Sequence, residues 1–482
     1  MRTHVSNFFA VLFVAFLVAL PLAASAKESA TTSVYLHANV VDVEHGLLRK
    51  NKTIVVDKGV IVSVADDYSV GENNGARVYD LKNAFVIPAL CDMHTHGTTI
   101  PGWANLFVAN GVMTVRDMGS SSMRPILMLR EQIASGQIIG PHIYGCGKIL
   151  DGSPVASAAV DQLVTNAAEG RQAVDTHLEN HADFIKVYNN LLPDTYFGIV
   201  AECKRTNTVF AGHVPRRITL VQASDAGQHS VEHLLGLYVP CVERGYEVYK
   251  DNRAQNKAFC LQHADEVVDE KAMKVISEKL IANDTYLCPT LVTLRAMSFG
   301  DRMVDEKLPS YANYVPDMIR AKWDWRKDKR TSSLSSAEWA TRKKIWDGYK
   351  PVLHALVNNG VQFLTGTDVT NPFVYPGISV HNELAWLVDF GFTPAQALAA
   401  STINPASYLR IDRTYGSVAV NKIADLVILS KNPLEDIHNT QSIEALVYRG
   451  KYFDKSDIER LKISGLQNRS SEEIFDTVHE PD

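Results

Sequence analysis

Two histidines one residue apart close the apolar run Val86-Ile87-Pro88-Ala89-Leu90-Cys91-Asp92-Met93-His94-Thr95-His96-Gly97. Side chains alternate along a strand with period two, so His94 and His96 face the same way. Two imidazoles at the end of a buried strand suit one divalent metal ion. A bare H-x-H is more often a solvated strand end, and what shifts the balance is the rest of the chain. His213 closes Val209-Phe210-Ala211-Gly212-His213, and His233 closes His229-Ser230-Val231-Glu232-His233. Asp368 closes Val361-Gln362-Phe363-Leu364-Thr365-Gly366-Thr367-Asp368. Each run reads as a short buried strand. Histidines and an aspartate at successive strand ends are hard to explain by packing alone. Lys186 lies within Phe184-Ile185-Lys186-Val187-Tyr188, where an unpaired ammonium would be buried at high cost. Either Asp368 or Glu232 pairs with it, or its neutral amine adds carbon dioxide. The resulting carbamate could bridge two metal ions.

These side chains need strands that bring them to one place. From Val86 onward the pattern alternates strand and helix. Further strands read at 111–117, 141–147 and 286–290, with helical patterns at 123–135, 171–180 and 195–206 between strands. Eight parallel strands alternating with helices predict an α/β fold, a (β/α)8 TIM barrel, whose strand ends converge on one mouth. An open doubly wound sheet is the alternative, but no glycine-rich dinucleotide fingerprint opens the first unit. The barrel is expected over 86–411, with insertions at 237–264 and 294–356. The second insertion carries Trp323, Trp325, Trp339 and Trp346 and reads as helical cover for the mouth, although packing alone would also account for its tryptophans. Short strands over 27–85 and 412–455, Gly416-Ser417-Val418 among them, are expected to join as a small β-sandwich made from both chain ends. Residues 456–482 form a charged, partly helical tail.

Residues 1–26 differ in kind. Arg2 precedes a continuous apolar run from Phe8 to Leu20, Pro21 breaks it, and Ala24-Ser25-Ala26 is a small-residue cleavage site. This reads as a secretory signal peptide, so the mature protein is expected in the periplasm or outside the cell, without a membrane anchor. The 482 residues are 46% hydrophobic and 21% charged, an ordinary globular composition with a net charge of -6 that offers no case for nucleic acid binding. Cys91, Cys146, Cys203 and Cys288 sit in apolar segments and read as small core residues. Cys241 and Cys260 flank a polar stretch, which they could close as a disulfide or leave as two thiols.

The chain resembles the amidohydrolase superfamily. H-x-H on strand one, Lys on strand four, His on strands five and six and Asp on strand eight is that superfamily's binuclear arrangement. Thr402-Ile403-Asn404-Pro405-Ala406, Ala424-Asp425-Leu426-Val427 and Ser230-Val231-Glu232-His233 look like its imidazolonepropionase-like and Xaa-Pro dipeptidase-like branch. The resemblance implies that His94, His96 and Asp368 hold a first metal ion and His213 and His233 a second. Lys186, as N6-carboxylysine, would bridge them. Zinc fits this nitrogen and oxygen set, as would manganese or cobalt. The implied reaction is amide hydrolysis by a metal-bridged hydroxide, with Asp368 moving the proton to the leaving amine. A dipeptide of the Xaa-Pro type or an N-acyl amino acid is the expected small-molecule substrate. Arg216 or Arg217, following His213, could grip its carboxylate, with Tyr188 as a hydrogen-bond donor. The arginines could equally be solvated residues at a helix start. Two other chemistries share the same residues: a mononuclear deaminase or cyclic-amide hydrolase, and a lactone or ester hydrolase. Relatives of this type assemble, so a homo-oligomer is expected.

Overall fold

The computed structural model describes residues 32–66, 75–237, 270–328 and 331–467. The leader-like segment, Cys241, Cys260 and most of the first insertion lie outside the described residues.

The chain opens with β1 (Thr32–Asp42), β2 (Leu47–Asp57), β3 (Val60–Asp66), β4 (Arg77–Asp80) and β5 (Phe85–Pro88). Next come the parallel strands β6 (Leu90–Thr95), β7 (Val112–Asp117), β8 (His142–Gly145), β9 (Ile149–Asp151) and β10 (Asp161–Leu163). They are followed by β11 (Ile185–Val187), β12 (Phe210–Gly212), β13 (Ser230–Glu232) and β14 (Tyr286–Cys288). The chain returns to strand at β15 (Leu426–Leu429), β16 (Ile443–Tyr448) and β17 (Lys451–Phe453).

Both chain ends share one mixed sheet in the order β17-β16-β15-β5-β1-β2-β3, with β4 on β1. Its central seam is antiparallel, Val427 opposite Ile87. The sheet covers a core of its own that includes Tyr35, Ile54, Val86, Leu426 and Val447. Gly416-Ser417-Val418 is not a strand but a turn, although Val418 is buried in this core. Only Ala89 separates β5 from β6, so the seam is rigidly continuous with the strand that carries His94.

The parallel strands fall in two hydrogen-bonded groups, β6-β7-β8 and β10-β9-β11-β12-β13-β14. The expected eighth strand is an extended segment with two isolated parallel bridges, Leu287 with Phe363 and Thr95 with Val369. Its backbone bonds run to both neighbours: Leu364 N–H donates to Leu287 O at 2.8 Å, and Met93 N–H donates to Thr365 O at 2.8 Å. Glycine makes that approach possible. A Cβ on Gly366 would stand 2.4 Å from Cys288 Sγ and 2.7 Å from His94 Cβ.

Helices fill the connections and begin where side chains can cap them. Asn166 accepts from Ala168 and Glu169 at the start of Ala167–Glu179. Thr393 and Gln396 close a capping box on Pro394–Ala400, as the Thr-Pro pair leads one to expect. In the second insertion the helices Leu291–Met303 and Ser336–Asn358 frame a shorter stretch with Trp323 and Trp325 buried. The tail begins as the helix Lys455–Gln467. Cys91, Cys146, Cys203 and Cys288 are buried and free.

Gly366→Ala should destabilise the protein by about 1–3 kcal/mol through overpacking. Urea unfolding of the variant beside the parent would measure it.

Candidate metal centre

His94, His96, Lys186, His213, His233 and Asp368 all line one cavity of about 580 Å³ at the C-terminal ends of the parallel strands. Asp368 is its hub. One carboxylate oxygen stands 3.5 Å from His94 Nε2 and 3.4 Å from His96 Nε2, and the other 3.8 Å from His233 Nδ1. Donor atoms of His94, His233 and Asp368 lie within 4.8 Å of one another, close enough to share an ion. Ring centroids of His94 and His233 are 4.5 Å apart, and those of His213 and His233 are 4.8 Å apart.

Each imidazole is held from behind through Nδ1. His94 Nδ1–H donates to the Glu232 carboxylate at 2.7 Å, and His96 Nδ1–H to the Gly119 carbonyl at 3.1 Å. His213 Nδ1 pairs with Asn189 Oδ1 at 2.9 Å, and His233 Nδ1 with the Thr290 hydroxyl at 2.6 Å. Carboxylate and carbonyl oxygens only accept, so His94 and His96 must carry their proton on Nδ1 and keep the Nε2 lone pair for a ligand. Burial, then the neighbouring His233 and Lys186 charges, hold His213 well below the ordinary imidazole range. Burial, reinforced by Lys186, pulls His233 down to about 3. Both are therefore neutral at physiological pH, the form that binds metal. The donor set and its tethers fit a divalent ion.

Lys186 is 1% exposed, and its ammonium sits 5.5 Å from the Tyr188 ring centroid. The pairing with Glu232 that the sequence left open is not made. Glu232 is committed to Arg116 and His94. Tyr188 is buried with its ring against His213, centroids 4.0 Å apart. Arg216 lines the rim, exposed and hydrogen-bonded to Asn190, whereas Arg217 is not among the lining residues.

The backbone is strained around this centre. His233, Leu234, Thr290 and Asp368 all have left-handed φ of 51 to 58°. Such residues cost on the order of 1–3 kcal/mol each, and concentrate where geometry serves function. Thr290 is fixed from outside: the N–H groups of Leu291 and Val292 both donate to Glu383, each at 2.8 Å. Burial raises the Glu383 carboxyl to about 8, against those same bonds. Asp92 plays a matching part on strand β6. It accepts from the Thr367 N–H at 2.9 Å and hydroxyl at 2.6 Å, one residue before Asp368.

Sequence reasoning missed Asn189, Thr290, Arg342 and Tyr349. The last two reach the cavity from the helix Ser336–Asn358, beside Leu294 and Met297. A polar residue one past Tyr188 was the only available signal for Asn189. The helix face of Arg342 and Tyr349, seven residues apart, was the signal for the others.

Imidazoles and a carboxylate gathered at the ends of parallel strands make a group that could hold a metal ion. Residues 85–453 match the Amidohydrolase family, and the chain belongs to that family. It is on this ground an amide-bond hydrolase. Ochratoxinase of Aspergillus niger is 20% identical over 485 residues, covering 88% of this chain and 86% of that one. Imidazolonepropionase of Pseudomonas savastanoi pv. phaseolicola is 40% identical over only 78 residues, 16% of this chain and 19% of its own. In fold, the chain is similar to a crystal structure of a Xaa-Pro dipeptidase with bound methionine. The TM-score is 0.64 at 19% identity, over 88% of this chain and all of that one.

The depressed His233 pKa carries a sign. Between pH 6.5 and about 3 the unfolded chain binds a proton there that the folded chain does not, so stability falls as pH drops below 6.5. His233→Asn should remove about 2 kcal/mol of that loss at pH 5 in metal-free protein. Denaturant unfolding at pH 7 and pH 5 would read it.

Proposed function

We propose that this protein is a binuclear metal hydrolase that cleaves the amide bond of a dipeptide, the Xaa-Pro type included, or of an N-acyl amino acid. The observation that carries this reading is the cage itself. Four imidazoles, each tethered through Nδ1, surround Asp368 beside a buried Lys186. His94, His96 and Asp368 would hold one ion, His213 and His233 the other, and Lys186, as N6-carboxylysine, would bridge them. Zinc suits this donor set. The strand order and its two bridges support a closed (β/α)8 barrel over 86–411. The sheet of both chain ends, wrapped on its own core, supports the small β-sandwich from 27–85 and 412–455. The leader-like residues 1–26 support export to the periplasm or beyond.

When bound, divalent ions supply Lewis acidity at the scissile carbonyl and bring the pKa of a water near 7. The Asp368 carboxylate takes the proton of the attacking water and delivers it to the leaving amine nitrogen, giving a carboxylate and an amine. The tethered imidazoles keep the ligand geometry fixed through this cycle, which removes the cost of reorganising it. Tyr188, packed on His213, donates to the substrate from the wall.

The cavity's charge supports an anionic substrate. Apart from the proposed metal ligands, the charged side chains among the described lining residues are Arg216 and Arg342, both cations. An arginine pairs a carboxylate through two parallel hydrogen bonds, which fixes orientation as well as charge. Arg216, whose side chain is steadied by Asn190, is the clamp of this reading. Apolar lining residues, Leu294 and Met297 among them, accommodate a bulky acyl side.

Elemental analysis after reconstitution with zinc in bicarbonate should give two ions per chain in the parent and one in Lys186→Ala, with most activity lost. One ion in both proteins would sink the bridging role and favour a mononuclear site. On a panel of N-acyl amino acids and dipeptides, Arg216→Ala should reduce kcat/KM about tenfold or more for free carboxylates. Their C-terminal amides should change little, and equal losses on both would dismiss the clamp.

A further inference from the structure

We propose that Arg116 and Glu232 are positioning residues that hold His94, through a buried ionic chain, as the most electron-rich of the four imidazoles. The proposal rests on the reading of His94 as a metal ligand.

Arg116, Glu232 and His94 have fully buried side chains. Arg116 stands on β7, and every arm of its guanidinium is engaged. Nε donates to the Met93 carbonyl at 2.6 Å. One terminal nitrogen donates to the Ser230 and Tyr408 hydroxyls at 2.9 and 2.6 Å, and the other to Glu232 Oε1 at 2.9 Å. Ser230 adds its own hydroxyl to Glu232 Oε1 at 2.6 Å. Glu232 Oε2 is thereby left for His94 Nδ1 at 2.7 Å.

This arrangement is an unlikely device for stability alone. A buried ion pair repays its desolvation poorly, and an apolar pair of similar volume commonly serves the fold as well. What an apolar pair cannot do is accept the Nδ1 proton. The other three tethers are neutral: a backbone carbonyl, an amide oxygen and a hydroxyl. Only His94 faces an ionised acceptor among these four, and a carboxylate partner raises the basicity of the ligating nitrogen. Arg116 pairs with that carboxylate and fixes its plane by holding one oxygen. His94 is also the ring between the other two ligands of the hub, 5.5 Å from His96 and 4.5 Å from His233. Its lone pair is therefore the one whose loss would loosen the whole cluster.

The test uses the full chain loaded with zinc and titrated with a chromophoric chelator, beside thermal unfolding of the metal-stripped chain. Glu232→Gln keeps the shape and an acceptor oxygen but removes the charge. Arg116→Met with Glu232→Met replaces the pair by apolar side chains. Both should bind zinc about 10–100-fold more weakly. Arg116→Lys, which keeps charge without the multiple grip, should fall between them and the parent. The metal-stripped double variant should unfold no earlier than the metal-stripped parent. Zinc affinity within threefold of the parent in Glu232→Gln would overturn the proposal, whatever the double variant does. A parent that holds no zinc would overturn the hydrolase reading instead.

Discussion

A carboxylate buried in the core must find its hydrogen-bond donors within the protein, and Glu232 sets that demand at the heart of this fold. Three donors answer it, from Arg116, Ser230 and His94. They come from β7, β13 and β6, and Arg116 in turn binds Tyr408 of the helix Ile403–Tyr408. Meeting one desolvation cost therefore locks together strands that are distant in sequence. The ligand face above inherits the precision of that lock.

Around this centre the same logic repeats with smaller charges. Asp92 ties the start of the ligand strand to Thr367, and so sets Asp368. Glu383 ties the start of Leu291–Met303, and so sets Thr290 behind His233. Asp368 and His233 are thus set by carboxyl groups that do not line the cavity. Burial lifts the carboxyls of Asp92 to about 7 and Glu383 to about 8, a measure of what these anchors cost.

Much of the centre was legible in the chain because strand periodicity is a local rule. His94 and His96 share a face by spacing alone, and apolar runs ending in His213, His233 and Asp368 mark strand ends. The tethers were not legible. Gly119 contributes a backbone carbonyl, which has no side-chain signature, and Asn189 and Thr290 act across 24 and 57 residues. The eighth strand was readable as an apolar run, yet it pairs through two isolated bridges, a tertiary outcome that the run does not encode. Gly416-Ser417-Val418 has strand composition but forms no strand, although Val418 is buried in the sheet's core. Choosing Arg216 over Arg217 as the lining residue needed the loop's course, which composition does not encode.

The seam between β5 and β15 has a temporal meaning. Val427 must find Ile87 across most of the chain, and Ala89 hands that pairing directly to the strand of His94. Contacts of such long separation form late and slowly, since the loop entropy is spent before they are made. Until the last strands emerge from synthesis, β5 is an open edge beside half-assembled histidines. Closure of the first ligand strand thus waits on β15, which is made long after the histidines it helps to hold.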